Sequence, residues 1–319
     1  MTLPRIGVFD SGVGGLTVLK AMAEQLPAHY LYFGDTARLP YGTKSAETVA
    51  RYAISAAKFL EAQKIDLLVI ACNTATALAL PAIKAAAHVP VVGVVEPGAA
   101  AAAQVSKKRA AIVIATEATV SSHAYRDALE KQGLQSLEKA CPLFVPLVEE
   151  GWIEHPVTEQ VARIYLGEAI ARAPEGADVL VLACTHYPLI RPMLRRIVPA
   201  NMEIVDSAES TARVVKKMIE EGPTLSPKAG EKDGHRLISS TEQSEERSNA
   251  TCHPERSELT GERSRKISPE TSPSEHRTFR FYVTDSTDKF KRLAARFLGR
   301  QVDNVEHVDL EEPAPVFRQ

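Results

Sequence analysis

Two cysteines occupy matching positions in two similar segments of the chain. The segment Ile65-Asp-Leu-Leu-Val-Ile-Ala-Cys-Asn-Thr74 aligns with Ala177-Asp-Val-Leu-Val-Leu-Ala-Cys-Thr-His186, and the cysteines are Cys72 and Cys184. Each follows an apolar strand, and ligands of open α/β sheets bind at the carboxyl ends of strands. If the segments face each other across a cleft, a thiolate can remove a proton from one face of a carbon and a thiol can deliver a proton to the opposite face. An ordinary cysteine pKa of ~8.5 makes both the thiolate and the thiol accessible. The pair predicts inversion of a stereocentre.

Ionisable side chains accompany both cysteines. His186 follows Cys184 by two residues, and Asp10 ends the strand that should lie beside the strand of Cys72. Each could take or hold the proton of a thiol. The alternative is structural in every case: a small buried apolar cysteine, a strand-end aspartate that caps the next helix, and a histidine in a core hydrogen bond.

Further acidic and polar residues suit the same site. Glu149 and Glu150 are adjacent acidic candidates, although such a pair is also typical of a solvated turn. The residues directly after the cysteines are donors that suit a carboxylate at a helix N-terminus: Asn73, Thr74 and Thr185.

Other chemistries fit the sequence less well. No C-x-x-C or paired-histidine spacing indicates zinc, and Cys141 and Cys252 are interpreted as incidental. The glycine-rich turn after Asp10 and the acidic Asp35 occupy the places of a dinucleotide fingerprint, but Thr17 stands where the third glycine is needed. The glycines therefore indicate close backbone approach instead.

The elements that would position these residues alternate between apolar strands and Ala-rich helices. Continuous apolar runs are typical of buried parallel strands, so the sequence predicts an α/β fold of two pseudo-symmetric parallel-sheet lobes with the active site in the cleft between them. The predicted elements include strands at 5–10, 30–33, 67–71, 91–95, 111–115 and 279–285, and helices at 16–25, 46–62, 76–87 and 288–298.

Composition bounds the class of protein. The chain has 319 residues, 45% hydrophobic and 24% charged, with a formal net charge of −2. These values exclude a disordered chain and the basic footprint of a nucleic-acid binder. With four cysteines, no signal-peptide pattern and no apolar run of ~18 residues, we expect a soluble cytoplasmic protein with reduced thiols and no membrane or nucleic-acid partner.

Residues 226–277 differ from the rest of the chain. They contain no aromatic Phe, Tyr or Trp and are rich in Ser, Glu and Arg, which predicts a low-complexity, disordered insertion within a domain. Because long surface loops cost little closure entropy, we expect deletion of this segment to leave the activity intact.

Nine ordered motifs, which cover nearly the whole chain outside the insertion, resemble those of the glutamate racemases in the cofactor-independent aspartate/glutamate racemase superfamily. They are Val8–Thr17, Tyr32–Asp35, Leu39–Gly42, Ile70–Ala75, Gly93–Gly98, Val145–Glu149, Leu182–Leu189, Val205–Ser207 and Phe281–Asp285. The resemblance implies interconversion of L- and D-glutamate without cofactor or metal, with D-glutamate used in peptidoglycan synthesis.

The resemblance also assigns roles. Cys72, assisted by Asp10, would act on the D-enantiomer, and Cys184, assisted by His186, on the L-enantiomer. Glu149 would be the family's acidic residue, with Glu150 as the alternative. Substrate contacts would come from Asp10, Ser11, Tyr41, Gly42, Asn73, Thr74, Thr116, Thr119, Thr185 and His186.

The resemblance further implies a homodimer and a chain that returns to its first lobe, with residues 1–96 and 207–319 in one lobe and 97–206 in the other. Three other functions remain open from the residues: a racemase for aspartate or another amino acid, an amino-acid-binding protein without turnover, and a nucleotide-dependent oxidoreductase. Full function after Cys72→Ser would favour the binding protein, and binding of a nicotinamide nucleotide in a titration would favour the oxidoreductase.

Overall fold

The computed structural model describes residues 2–221 and 278–310, so the predicted insertion at 226–277 lies outside the described residues. Within them, ten strands form two separate parallel sheets. The strands are β1 Arg5–Asp10, β2 His29–Gly34, β3 Leu67–Ile70, β4 Val91–Gly93, β5 Ala110–Ala115, β6 Gln135–Ala140, β7 Val179–Ala183, β8 Glu203–Asp206, β9 Thr278–Val283 and β10 Val305–His307. The predicted α/β class with two parallel sheets is confirmed.

The two sheets repeat one topology. The first sheet has the order β10-β9-β2-β1-β3-β4 and the second has the order β6-β5-β7-β8. Strands β1 to β4 therefore correspond to β5 to β8, and the cysteine-bearing strand ends of β3 and β7 are equivalent. The two strands β9 and β10 extend only the first sheet, where β9 pairs with β2.

Helices connect the strands and cover the sheets, as parallel strands require. They are α1 Leu16–Gln25, α2 Ala46–Ala62, α3 Asn73–Ala86, α4 Val95–Val105, α5 Glu117–Ser121, α6 Ala124–Lys131, α7 Phe144–Glu149, α8 Pro156–Arg172, α9 Arg191–Ile197, α10 Ser207–Glu220 and α11 Thr287–Leu298. Helix α10 contacts both α1 and α4, so it joins the layers of the two sheets. None of the helices in the described part of the chain is long and apolar enough to cross a membrane.

The aspartate that begins each repeated segment has a structural role. Asp66 accepts a hydrogen bond from the main-chain N–H of Arg5 at 2.7 Å, which fixes the start of β1 beside β3. Asp178 accepts from the N–H groups of Lys107 and Lys108 at 2.7 and 2.9 Å, just before the equivalent strand β5. The internal repeat in the sequence thus marks the same strand junction in both sheets.

Several predicted boundaries differ from the structure by one to three residues, and two of the differences lie at helix starts. Helix α3 begins at Asn73 rather than at 76, because the sulfur of Cys72 accepts a hydrogen bond from the N–H of Ala75 at 3.4 Å and caps the helix. The strand predicted at 91–95 ends at Gly93, and α4 begins at Val95. The lobe limits at 96/97 and 206/207 remain a proposal.

Candidate active site

A cavity of about 450 Å³ lies at the carboxyl ends of both sheets, and both cysteines line it. Cys72 follows β3 and Cys184 follows β7, the equivalent central strands. The side chains are nearly buried, with 5% and 6% of their surface exposed. The lining residues are Ser11, Leu39, Pro40, Tyr41, Gly42, Thr43, Cys72, Asn73, Thr74, Thr116, Glu117, Pro142, Val145, Pro146, Glu149, Cys184, Thr185, His186 and Lys289.

Hydroxyl and main-chain groups surround the sulfur of Cys72. The thiol donates to Oγ of Ser11 at 3.4 Å and accepts from the N–H of Ala75. Burial, followed by the charge of Asp10, raises the pKa of Cys72 to about 12, although the bonds to Ser11 and Ala75 lower it. Cys72 is therefore a protonated thiol at neutral pH.

Asp10 lies behind Cys72 rather than on the cavity wall. Its Oδ2 accepts from the N–H of Gly12 at 2.9 Å, whereas Oδ1 is buried and has no hydrogen-bond partner among the described residues. Burial raises the pKa of Asp10, against the opposing effects of nearby N–H groups and of His186. Asp10 is not among the residues that line the cavity, and its strand β1 lies next to β3, the strand of Cys72, as predicted. Its contact with substrate stays a prediction.

A histidine–carboxylate pair stands beside Cys184. Nδ1 of His186 lies 4.0 Å from the sulfur, and Nε2 lies 3.1 Å from Oε1 of Glu149. Burial lowers the pKa of His186, but its bonds to Cys184 and Glu149 outweigh burial and raise the pKa to about 10. For Glu149, burial raises the pKa, but the hydrogen bond and the charge of His186 outweigh burial and lower it. The structure places Glu149 against His186, and Glu150 is exposed.

Close contact between the sheets explains the glycine-rich turn after β1. A Cβ on Gly14 would overlap Oγ1 of Thr185 and would come within 2.6 Å of Nδ1 of His186. Thr17 also donates to the carbonyl of Thr185 at 3.3 Å. The turn is therefore a docking surface for the Cys184 segment, which confirms the predicted close backbone approach.

Donor groups face the cavity from both sheets. Asn73 is 3% exposed; its Oδ1 accepts from Tyr125 at 2.6 Å, and its Nδ2 has no partner among the described residues. The hydroxyls of Thr74, Thr116 and Thr119 are hydrogen-bonded to one another at 2.9 to 3.2 Å. A buried amide donor without a partner costs free energy unless a ligand accepts from it.

The hydroxyls of two further predicted substrate contacts, Thr119 and Tyr41, are bonded to protein groups. Thr119 is fully buried behind Thr116 and does not line the cavity. Tyr41 lines the cavity, but its hydroxyl donates to Oδ2 of Asp35 at 2.5 Å and is therefore engaged. Asp35 also accepts from Thr284 at 2.9 Å, so its carboxylate is occupied and does not fit the ribose-binding role of a dinucleotide site.

Sequence reasoning missed several lining residues. Some of them lie within the nine motifs of the racemase resemblance: Leu39, Pro40, Val145 and Pro146. Others lie outside these motifs: Thr43, Glu117, Pro142 and Lys289. Lys289 reaches the cavity from α11, which follows the insertion, and no local pattern signals that return. Among the described residues, no group of three or more His, Cys, Asp or Glu side chains could hold a metal ion.

Comparison with known proteins identifies the family and several relatives of this chain. The family model for Asp/Glu/hydantoin racemases matches residues 6–215. The glutamate racemase of Koribacter versatilis is 57% identical over 309 residues, which cover 96% of this chain and 98% of that protein.

Solved structures of glutamate racemases have folds similar to that of this chain. The glutamate racemase of Thermus thermophilus, in complex with β-chloro-D-alanine, has a TM-score of 0.72 and 39% identity, covering 97% of this chain and 98% of that one. The glutamate racemase of Francisella tularensis, in complex with D-glutamate, has a TM-score of 0.75 and 29% identity, covering 98% and 99%.

Proposed function

This chain belongs to the Asp/Glu/hydantoin racemase family, and on that premise we propose that it interconverts L- and D-glutamate with two thiols. The observation that carries the proposal is that Cys72 and Cys184 line one cavity from equivalent strand ends of two sheets. Two acid–base groups on opposite sides of a substrate are what inversion at Cα requires.

From L-glutamate, the Cys184 thiolate takes the Cα proton, and the electron pair stays on Cα. The Cys72 thiol then delivers its proton to the opposite face, which gives D-glutamate and leaves Cys72 as the thiolate. The imidazolium of His186 compensates the negative charge of Cys184 before the first transfer. The raised pKa of Asp10 suits it to return a proton toward Cys72 afterwards.

The donor groups support an amino acid with a second carboxylate as substrate. Carboxylate oxygens only accept hydrogen bonds, and the unpartnered Nδ2 of Asn73 requires an acceptor. Hydroxyls of Ser11, Thr74 and Thr185 add donors around the same space. The D-glutamate bound to the Francisella tularensis relative further supports glutamate.

The biological setting is part of the same proposal. D-Glutamate from this reaction would supply peptidoglycan synthesis, and the enzyme would be a cytoplasmic homodimer, as its resemblance to the family implies. Growth of a D-glutamate-requiring bacterium on expression of this chain tests the first point, and sedimentation equilibrium tests the dimer.

The direct test uses purified chain, dialysed against a chelator, with L-glutamate in deuterium oxide. We expect loss of optical rotation together with deuterium at Cα, and no dependence on an added cofactor. L-Aspartate is the matched alternative substrate. Racemisation of aspartate but not of glutamate would show that aspartate is the substrate. No reaction with either amino acid would favour an amino-acid-binding protein without turnover.

A further inference from the structure

Helix α11 belongs to the layer of the first sheet, yet it contacts the acid–base pair of the second. Arg296 donates from Nη1 to the main-chain carbonyl of Glu149 at 2.6 Å. The next residue, Phe297, places its ring 5.3 Å from the ring of His186 with an interplanar angle of 87°. Two consecutive residues of one helix thus contact both members of the His186–Glu149 pair.

The carbonyl that Arg296 reaches needs a partner. Glu149 is the last residue of α7, and the final carbonyls of a helix have no donor within it. A cation at a helix C-terminus is also favourable to the helix dipole. The guanidinium covers the turn that follows, since a Cβ on Gly151 would come within 2.6 Å of its carbon. Gly151 has a φ of +85°, a conformation that suits glycine.

Helix α11 is itself firmly held. Ser286 caps its first turn by accepting from the N–H of Lys289 at 3.2 Å. Phe290 packs its ring 5.9 Å from the rings of both Tyr32 and Phe281, on the core side of the first sheet. The helix therefore has a fixed position from which to hold residues of the other sheet.

We propose that α11 is a positioning element for the racemase reaction: Arg296 fixes the main chain of Glu149, and Phe297 fixes the ring of His186, so that His186 stays beside Cys184. This inference rests on the proposed function. Neither residue lines the cavity, so neither is a catalytic residue. Both act through the pair that they contact.

The proposal predicts a lower pKa of His186 when Arg296 no longer holds the main chain of Glu149. The ionisable groups that act on His186 are Cys184, Glu149 and Asp10, and the cations beside Glu149 are Lys289 and the exposed Arg296, whose own charge is screened by solvent. Of these, Glu149 is held by Arg296. If its carboxylate retreats from 3.1 Å, the imidazolium loses an attractive partner and the pKa of His186 falls.

The test compares Arg296→Met with Arg292→Met; Arg292 lies one turn earlier on the same helix and is exposed, as Arg296 is. We expect Arg296→Met to lower kcat about tenfold, because small misplacements of acid–base groups cost one to two orders of magnitude, with a much smaller change in KM. Arg296→Lys, which keeps one donor, should recover part of the loss. The Arg292→Met variant should match the wild type.

A second readout does not depend on turnover. NMR titration of the His186 imidazole should show a lower pKa in Arg296→Met than in both the wild type and Arg292→Met. Phe297→Leu, which keeps an apolar side chain but removes the ring contact, should lower kcat and change KM much less. Circular dichroism melting confirms that each variant is folded.

The outcomes separate this inference from the proposed function. If the wild type racemises glutamate and Arg296→Met equals Arg292→Met in kcat and in the pKa of His186, the positioning role of α11 is wrong and the proposed function stands. If the wild type is inert towards glutamate, the proposed function fails, and the NMR comparison alone still decides whether Arg296 positions the pair.

Discussion

The two ends of the active-site cavity have equivalent strands but different chemistry. At the end formed by the first sheet, Cys72 caps a helix and is bonded to Ser11 and a main-chain N–H. At the end formed by the second, Cys184 stands beside His186 and Glu149. The first environment raises the pKa of Cys72, whereas the second places an imidazole with a raised pKa beside Cys184.

The repeat shows where the difference arises. The strand pairing places Phe9 opposite Ile70 and Ile114 opposite Leu182, and Ile70 and Leu182 each stand two residues before a cysteine. Asp10 of the first sheet therefore corresponds to Ala115 of the second. Each sheet thus carries one ionisable group that the other lacks, an aspartate in the first and a histidine in the second. In the proposed mechanism, a repeated scaffold with unequal side chains provides an acid and a base at once.

The largest expected effect comes from removing either thiol. Cys72→Ser and Cys184→Ser should each lower the racemisation rate about 100- to 10 000-fold, the range for loss of a general acid or base. The comparison is sharpened by hydrogen exchange in deuterium oxide. Cys184→Ser should exchange Cα hydrogen of D-glutamate with retention, and Cys72→Ser that of L-glutamate. Exchange of the same enantiomer by both variants would contradict the two-sided mechanism.

The next effect should come from the docking of the two ends. Gly14→Ala forces a methyl group against Thr185 and His186, and we expect about a 100-fold loss of activity from their displacement. The matched control is Gly167→Ala in α8, where no atom beyond the neighbouring residues and the backbone of the helix itself lies within 4 Å of the added methyl group. The control should keep full activity and gain up to ~1 kcal/mol in the free energy of unfolding.

Removal of the carboxylate at the Cys184 end should have an intermediate effect. Glu149→Gln should lower kcat about tenfold and move the alkaline limb of the pH–rate profile to lower pH, because His186 loses the charge that raises its pKa. Glu150→Gln should leave both unchanged, since its side chain is exposed. An equal effect of the two substitutions would remove the special role of Glu149.

The same ionisation affects stability. The pKa of His186 is raised from 6.5 to about 10 in the folded chain, so its charge stabilises the fold fully below about pH 6.5. This stabilisation is lost as the pH rises towards 10. The unfolding free energy of the wild type should therefore fall over this range more than that of Glu149→Gln, as measured by urea titration.

The smallest effect should come from the Cys72 end, through Asn73. Tyr125→Phe removes the donor to Oδ1 of Asn73, which lies between the sheets. We expect KM to rise about fivefold, which corresponds to the ~1 kcal/mol of an ordinary hydrogen bond, with kcat nearly unchanged. A fall in kcat with unchanged KM would show that Asn73 does not act in substrate binding.

The sequence predicted what local pattern encodes. The repeated segment revealed Cys72 and Cys184, and the position of Asp10 followed from the adjacency of β1 and β3. The start of α3 was missed because cysteine is not a usual capping residue. Lys289, Arg296 and Phe297 were missed because they reach the site from a helix far along the chain, which no local spacing reports.

The place of β9 in the first sheet has a consequence for synthesis of the chain. Strands β1 to β4 leave the ribosome first, but the β2 edge that pairs with β9 stays open until residues 278–283 have been made. The four strands of the second sheet all lie between residues 110 and 206, so they have been synthesised before β9. The half of the molecule that is started first is therefore finished last, and Arg296 and Phe297 arrive only after both cysteines are in place.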